Sequence, residues 1–308
     1  MYKRLLVSLD GSELAEKALP YAEELAAKLG AEVVIVNVRM PSEDPDKPEQ
    51  RAYISKIAAA TEQNIKKSPA LKKGEKIKVV SAIIGSTSPS VHAGEQIVDY
   101  AEKESINLII IASHGRSGIR RWALGSTADK VASAAKCPVL LIRAGVNLPK
   151  TVHLANFLVT LDGSKPAEAV LEHIEWLAPR LKARVTLLNV VETLYHLYPS
   201  TEALGYFGGG GMIKVPYTEE EMKPSITIGE DYTKNVNSKL ASEGITTGYE
   251  VRVGAAGEEI IAAEKETGAD MVVMSTYGHS GFGRWSHGSI ADKVMHGGNT
   301  PLLLIRPK

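Results

Sequence analysis

Apolar and polar residues are arranged along this chain in blocks. Runs that are apolar throughout, such as "NLIIIAS" at 107–113 and "DMVVMST" at 270–276, alternate with stretches in which apolar residues recur every three or four positions. The first pattern predicts parallel strands covered on both faces, and the second predicts amphipathic helices packed on a sheet. Strands are expected at 4–9, 33–38, 77–84, 107–112 and 138–143, and again at 156–161, 184–191, 248–253, 270–275 and 301–306. After the first strand, Leu14, Ala18, Ala22, Leu25 and Leu29 keep helical spacing, and Gly30 stands at a C-cap position. Pro20 is expected to bend that helix. Glu172 takes its place in the second series, so the fold itself does not require the bend.

The two series are one pattern written twice. Residues 4–38 align without a gap to 156–190 at an offset of 152, and "ASHGRSGIRRWALGSTADKV" (112–131) matches "STYGHSGFGRWSHGSIADKV" (275–294) at eleven of twenty positions, at an offset of 163. A period near 150 residues is a duplicated domain rather than a solenoid unit. Strand–helix alternation within each copy predicts an α/β fold: two tandem doubly wound domains, each a mainly parallel five-stranded sheet with helices on both faces. The domains are expected at 1–146 and 152–308.

Composition narrows the partners. Lys plus Arg and Asp plus Glu are equal at 36 each, so no net field recruits nucleic acid or an anionic membrane, and neither is expected as a partner. The lone Cys137 has no internal disulfide partner; it aligns with Thr300 and reads as a small residue entering a strand. The opening apolar run is too short for a signal peptide, and no apolar stretch has the length to cross a bilayer. A cytoplasmic address is therefore expected.

Open α/β sheets bind ligands outside the carboxyl ends of their strands, where strand order reverses. Two places in each copy qualify. One is "LDGS" after the first strand, with Asp10 and Asp162; the other is the glycine stretch after the fourth, with Gly115, Gly125 and Ser126, and with Gly278, Gly288 and Ser289. Glycines there are expected to turn at positive φ and bring amide groups close to a ligand, and the helix that follows offers an anion site suited to phosphate. A purely structural alternative stands beside this: a tight strand-to-helix connection in which Ser126 and Ser289 are the N-caps, while Asp10 and Asp162 cap the helix after the first strand. No G-x-x-x-x-G-K-[ST] loop is present, no G-x-G-x-x-G follows the first strand, and the eight histidines show no zinc-ligand spacing.

"ASHGRSGIRRWALGS", with the opening "VSLDGS" and "VTLDGS" and the closing "CPVLLIR" and "TPLLLIR", resembles the universal stress protein family over nearly the whole chain. The family's signature is glycine, two residues, glycine, nine residues, then glycine with serine or threonine. Both copies keep its spacing but replace the first glycine, by Ala112 and by Ser275. The resemblance implies that Ala112, Gly115, Gly125, Ser126 and Thr127, and Ser275, Gly278, Gly288, Ser289 and Ile290, surround the phosphates and ribose of ATP, or of ADP or AMP. It implies that Asp10 and Asp162 lie beside the adenosine and help hold a magnesium ion through the nucleotide. Val38 and Val190 would read the adenine edge through backbone groups, or are simply core valines. The last strands are expected to pair antiparallel as an internal pseudo-dimer, with a further homodimer as an extension. Such a chain is expected to be an ATP-binding regulatory module of the stress response with one nucleotide site per domain. A nucleotide-free scaffold and an ATP-dependent phosphotransferase or hydrolase are the alternatives; beyond the aspartates there is no catalytic constellation, so at most slow hydrolysis is expected. The second copy's segment 193–230, rich in tyrosine around four glycines, is read either as a lid over a nucleotide or partner site or as an insertion packed on its own domain.

Overall fold

The computed structural model describes residues 1–39, 48–85, 91–114, 124–143, 152–199, 212–277 and 288–307. Gly115 and Gly278 lie outside the described residues. The first half runs β1 (Arg4–Leu9), α1 (Glu13–Glu16), α2 (Leu19–Leu29), β2 (Glu32–Arg39), α3 (Pro48–Lys67), β3 (Val79–Gly85), α4 (Ala93–Lys103), β4 (Leu108–Ala112), α5 (Ser126–Ala134) and β5 (Val139–Ile142). The second repeats it as β6 (Asn156–Leu161), α6 (Lys165–Leu181), β7 (Arg184–Glu192), β8 (Tyr195–Pro199), β9 (Met212–Pro216), α7 (Glu219–Ser242), β10 (Thr247–Gly254), α8 (Ala256–Glu266), β11 (Met271–Ser275), α9 (Ser289–Gly297) and β12 (Leu302–Ile305).

Ten of these strands form one sheet in the order β10-β7-β6-β11-β12-β5-β4-β1-β2-β3. Each half contributes five parallel strands, and the two sets join where β5 pairs antiparallel with β12, Leu140 opposite Leu303. The expected pairing of the last strands is thus present within the chain. It also removes an edge: β5 and β12 would each expose a ladder of backbone groups if left alone.

The apolar-throughout strands are buried on both faces, as their pattern predicts. Leu5, Val7 and Leu9 face one core with α2, α6 and α7, while Leu6, Val34 and Ile109 face a second with α4, α5, α8 and α9. Both cores run through both halves. Their extent stabilises the joined sheet as one unit, at about 25 cal/mol for each Å² of apolar surface removed from water.

Where a bent helix is expected around Pro20, the chain makes two. α1 ends at Glu16 and α2 starts at Leu19, which places Pro20 in the first turn, where the amide it lacks has no helical partner anyway. α6 runs unbroken through Glu172. Gly30 ends α2 in the left-handed conformation at φ 68°, as its position predicts. The insertion forms the antiparallel β8–β9 hairpin, whose Leu197, Tyr198, Met212 and Ile213 are all at least half exposed, followed by α7.

Candidate nucleotide site

In the first half strand order reverses between β1 and β4, in the second between β6 and β11. At the carboxyl ends of those strands lie two matching cavities. The first, of about 280 Å³, brings together Asp10, Val38, Ala112, Gly125, Ser126 and Thr127. The second, of about 460 Å³, brings together Asp162, Val190, Ser275, Gly288, Ser289 and Ile290. Every candidate residue within the described segments therefore converges, although Asp10 and Val38, and likewise Asp162 and Val190, lie more than 70 residues from the rest of their set.

The aspartates do not cap the following helix. Ser12 and Ser164 do, each accepting from the amide three residues on at 3.2 Å. Asp10 and Asp162 instead accept, through Oδ1, from the amides of those serines at 3.0 and 2.9 Å, and Asp10 also from the Ser12 hydroxyl at 2.6 Å. This Asx-type turn fixes each carboxylate at the cavity wall.

The glycine connections also differ from expectation. Ser126 and Ser289 are not N-caps but the first helical residues. The caps are Gly125 and Gly288, which have no side-chain acceptor to offer the helix. Their φ values, −64° and −61°, are extended backbone open to any residue, so conformational freedom is not why glycine stands there. At Gly125 space is the reason: a Cβ there would meet the Ser113 carbonyl at 3.1 Å, and that carbonyl accepts from the Gly125 amide at 2.8 Å, whereas a Cβ on Gly288 would lie 3.5 Å from the Thr276 carbonyl, an ordinary contact. In the second half Gly288 donates to Thr276 at 2.9 Å. The first amides of α5 and α9 thus have no side-chain cap, and the residues that carry them line the cavities.

Three further pairs position the site. Buried Asn37 and Asn189 each donate through Nδ2 to the carbonyl just before the aspartate, Leu9 and Leu161, both at 2.9 Å. Gly94 and Gly257 let α4 and α8 press against α5 and α9: a Cβ on either would lie 2.7 Å from the side chain of Lys130 or Lys293. Those lysines pair with Glu95 and Glu258 at 2.8 and 2.7 Å. Finally, Tyr53 and Tyr232 donate to Glu16 and Glu168, which stand beside the aspartate turns, at 2.8 and 3.1 Å. Burial, then the charge of Glu168, pushes the Tyr232 phenol above its ordinary value, so it stays protonated and donating. Sequence reasoning did not single out these pairs, yet the alignment of the two copies carried a signal: Asn37 with Asn189 and Gly94 with Gly257 are identities.

The halves differ in detail. His114 and Ser8 of the first cavity become Tyr277 and Thr160 in the second, and Glu192 at the end of β7 adds a carboxylate there. Among the described residues no group of three or more His, Cys, Asp or Glu side chains is placed to hold a metal ion, and no helix is long and apolar enough to cross a membrane.

A doubly wound sheet repeated twice, with a cavity at each of two switch points, defines the class as a tandem α/β protein. The universal stress protein family model matches residues 1–143 and 154–306, and the chain belongs to that family. The universal stress protein YxiE of Bacillus subtilis is 32% identical over 148 residues, 46% of this chain and all of that protein. A universal stress protein of Mycolicibacterium smegmatis is 21% identical over 320 residues and spans both halves, covering 99% of this chain and 97% of that protein. The crystal structure of a universal stress protein from Archaeoglobus fulgidus superposes with a TM-score of 0.67 at 18% identity, covering 99% of each chain. That likeness establishes the two-domain fold.

Proposed function

We propose that each half binds one adenine nucleotide, ATP or its products ADP and AMP, and that the chain is a nucleotide-dependent regulatory module rather than an efficient enzyme. The observation that carries this reading is the pair of helix N-termini, α5 and α9, capped only by glycine and lining cavities that also hold one aspartate each. Free amides and the positive end of a helix dipole suit a phosphate. Asp10 or Asp162, held by its serine turn, would face the nucleoside, and the chain near Val38 or Val190 would meet the base. Each cavity offers an aspartate with Oδ1 already engaged, so a magnesium ion would take most of its ligands from phosphate and water, with Asp10 or Asp162 in support. Magnesium bound in that way would neutralise phosphate charge.

The test is direct. Freshly purified protein is denatured, and the released nucleotide is identified and its molar ratio determined. Ser126→Asp and Ser289→Asp each place a carboxylate at a helix start, where it favours the helix but opposes phosphate. At roughly 5 Å and an effective dielectric of about 30 the repulsion is about 2 kcal/mol, an affinity loss of roughly thirtyfold per site. Binding near two nucleotides per chain, halved by either variant, supports the reading. No nucleotide released and none bound on adding ATP with magnesium would favour the nucleotide-free scaffold.

A further inference from the structure

α5 and α9 are the same helix in the two copies, yet their far ends are held differently, and each by the opposite half. Arg143, just past β5 of the first half, is buried and reaches into the second. Its Nη2 donates to the Val294 carbonyl at 2.8 Å, its Nη1 to that of Met295, and its Nε to that of Thr300 at 3.2 Å. Two of these carbonyls belong to the last turn of α9, where a cation complements the helix dipole; that of Val294 also accepts from the Gly298 amide at 2.9 Å. Glu264 of α8, only 3% exposed, accepts from the Asn299 amide at 2.7 Å and brings its carboxylate to the same spot. Between them is Gly298: a Cβ there would lie 3.0 Å from Arg143 Nη2 and 3.1 Å from Glu264 Oε2. Burial draws the Arg143 guanidinium down to about 10, with the charge of Glu264 opposing the fall.

The first half lacks the carboxylate and the glycine of this arrangement. At an offset of 163, Ala101 stands for Glu264, Ala135 for Gly298 and Cys137 for Thr300. These three residues line a cavity of about 200 Å³. Arg306, the counterpart of Arg143, reaches the C-cap of α5 through a bond to the Ala135 carbonyl at 3.2 Å, and it also meets the Tyr277 hydroxyl at 3.4 Å. One end of α9 is therefore gripped by a buried arginine and braced by a carboxylate, whereas α5 has alanine, Ala101, in place of that carboxylate.

We propose that Arg143 is a positioning residue for the second half's site: it seats α9 so that the helix start is presented to the ligand, and the second site is completed by the first half and is the tighter of the two. This rests on the nucleotide reading of the cavities. α9 is short, nine residues or roughly 13 Å, so displacement at one end is felt at the other.

ATP affinity is measured by calorimetry on the full chain, with the second site isolated by Ser126→Asp and the first by Ser289→Asp. Arg143→Met is expected to weaken the second site tenfold or more and the first less than threefold. Gly298→Ala, which keeps both charged groups but pushes a methyl between them, is expected to weaken the second site threefold to tenfold, and it carries the comparison should Arg143→Met fail to fold. Equal losses at the two sites, or none at the second, would overturn the proposal. Hydrogen exchange without nucleotide supplies a separate readout: the amides of Asp292 to Val294 should exchange faster in the variants, while those of Asp129 to Val131 should not. Unchanged exchange in α9 with ATP still bound overturns the positioning role alone. If no protein binds ATP, the nucleotide reading fails and the proposal with it.

Discussion

Asn37 offers a test of how the sheet aims its aspartate. Its Nδ2 donates to the Leu9 carbonyl at 2.9 Å, its Oδ1 accepts from Gln50 at 2.6 Å, and the side chain is only 1% exposed. Asn37→Leu removes both bonds at nearly constant volume. A buried carbonyl deprived of its donor costs about 1–3 kcal/mol, and the half-buried Gln50 adds about half that before finding water. The extra apolar burial of leucine returns about 1 kcal/mol. The net expectation is a loss of about 2 kcal/mol, read as a lower urea midpoint at unchanged slope. Because Leu9 leads directly into Asp10, ATP affinity at the first site should fall as well. Asn37→Asp sharpens the case, since it keeps the shape and replaces the donor by an oxygen facing the carbonyl. Burial and the chance to donate when protonated would raise the folded pKa of that carboxyl above its unfolded value. Its stability deficit should therefore be small in acid and grow as pH rises through the folded pKa. A loss under about 0.5 kcal/mol for Asn37→Leu, or an aspartate variant as stable as the parent at pH 7, would refute the reasoning.

Other consequences can be checked as readily. Gly94→Val would force α4 away from α5 at Lys130 Cβ and the Thr127 carbonyl, and a destabilisation of about 2–3 kcal/mol with weaker binding at the first site is expected from thermal unfolding and calorimetry. Burial pushes the Cys137 thiol up to about 11, so at pH 8 a thiol reagent should label the native protein slowly and the urea-unfolded protein at once; equal rates would contradict the burial. Burial raises the Glu264 carboxyl above its ordinary value. Its contribution to stability is therefore fully present below the unfolded pKa and declines as pH rises toward the folded one. Glu264→Gln should flatten that part of the stability–pH curve, and an unchanged curve would argue against it.

Much of this was legible in the sequence. Every strand of the ten-stranded sheet was expected to within two residues at each end, and the central ones stand out because parallel strands covered on both faces are apolar without alternation. The convergence of Asp10 with Gly125, and of Asp162 with Gly288, followed from the family resemblance, which implies that the first and fourth strands lie side by side. Local chemistry was harder. Both Asp10 and Ser12 are good N-cap residues, and only the backbone angles of Ser12 decide between them. The same holds for Gly125 against Ser126. The break at Lys17 and Ala18 arises because a proline is cheaper in a first turn than in a helix interior. Long-range polar contacts such as that of Arg143 with Val294 leave no local pattern at all, since nothing in either segment's periodicity names its partner.

The covalent joining of the halves through a shared sheet has a consequence for what the molecule can become. In an assembly of two identical chains about a twofold axis, each substitution is imposed on both sides at once, so an arginine clamp and an alanine-lined hollow cannot occupy equivalent places. Here Glu264 and Gly298 face one way across the β5–β12 seam while Ala101 and Ala135 face the other. Fusion releases the two halves from mirroring each other, and the seam is where that freedom shows in the side chains.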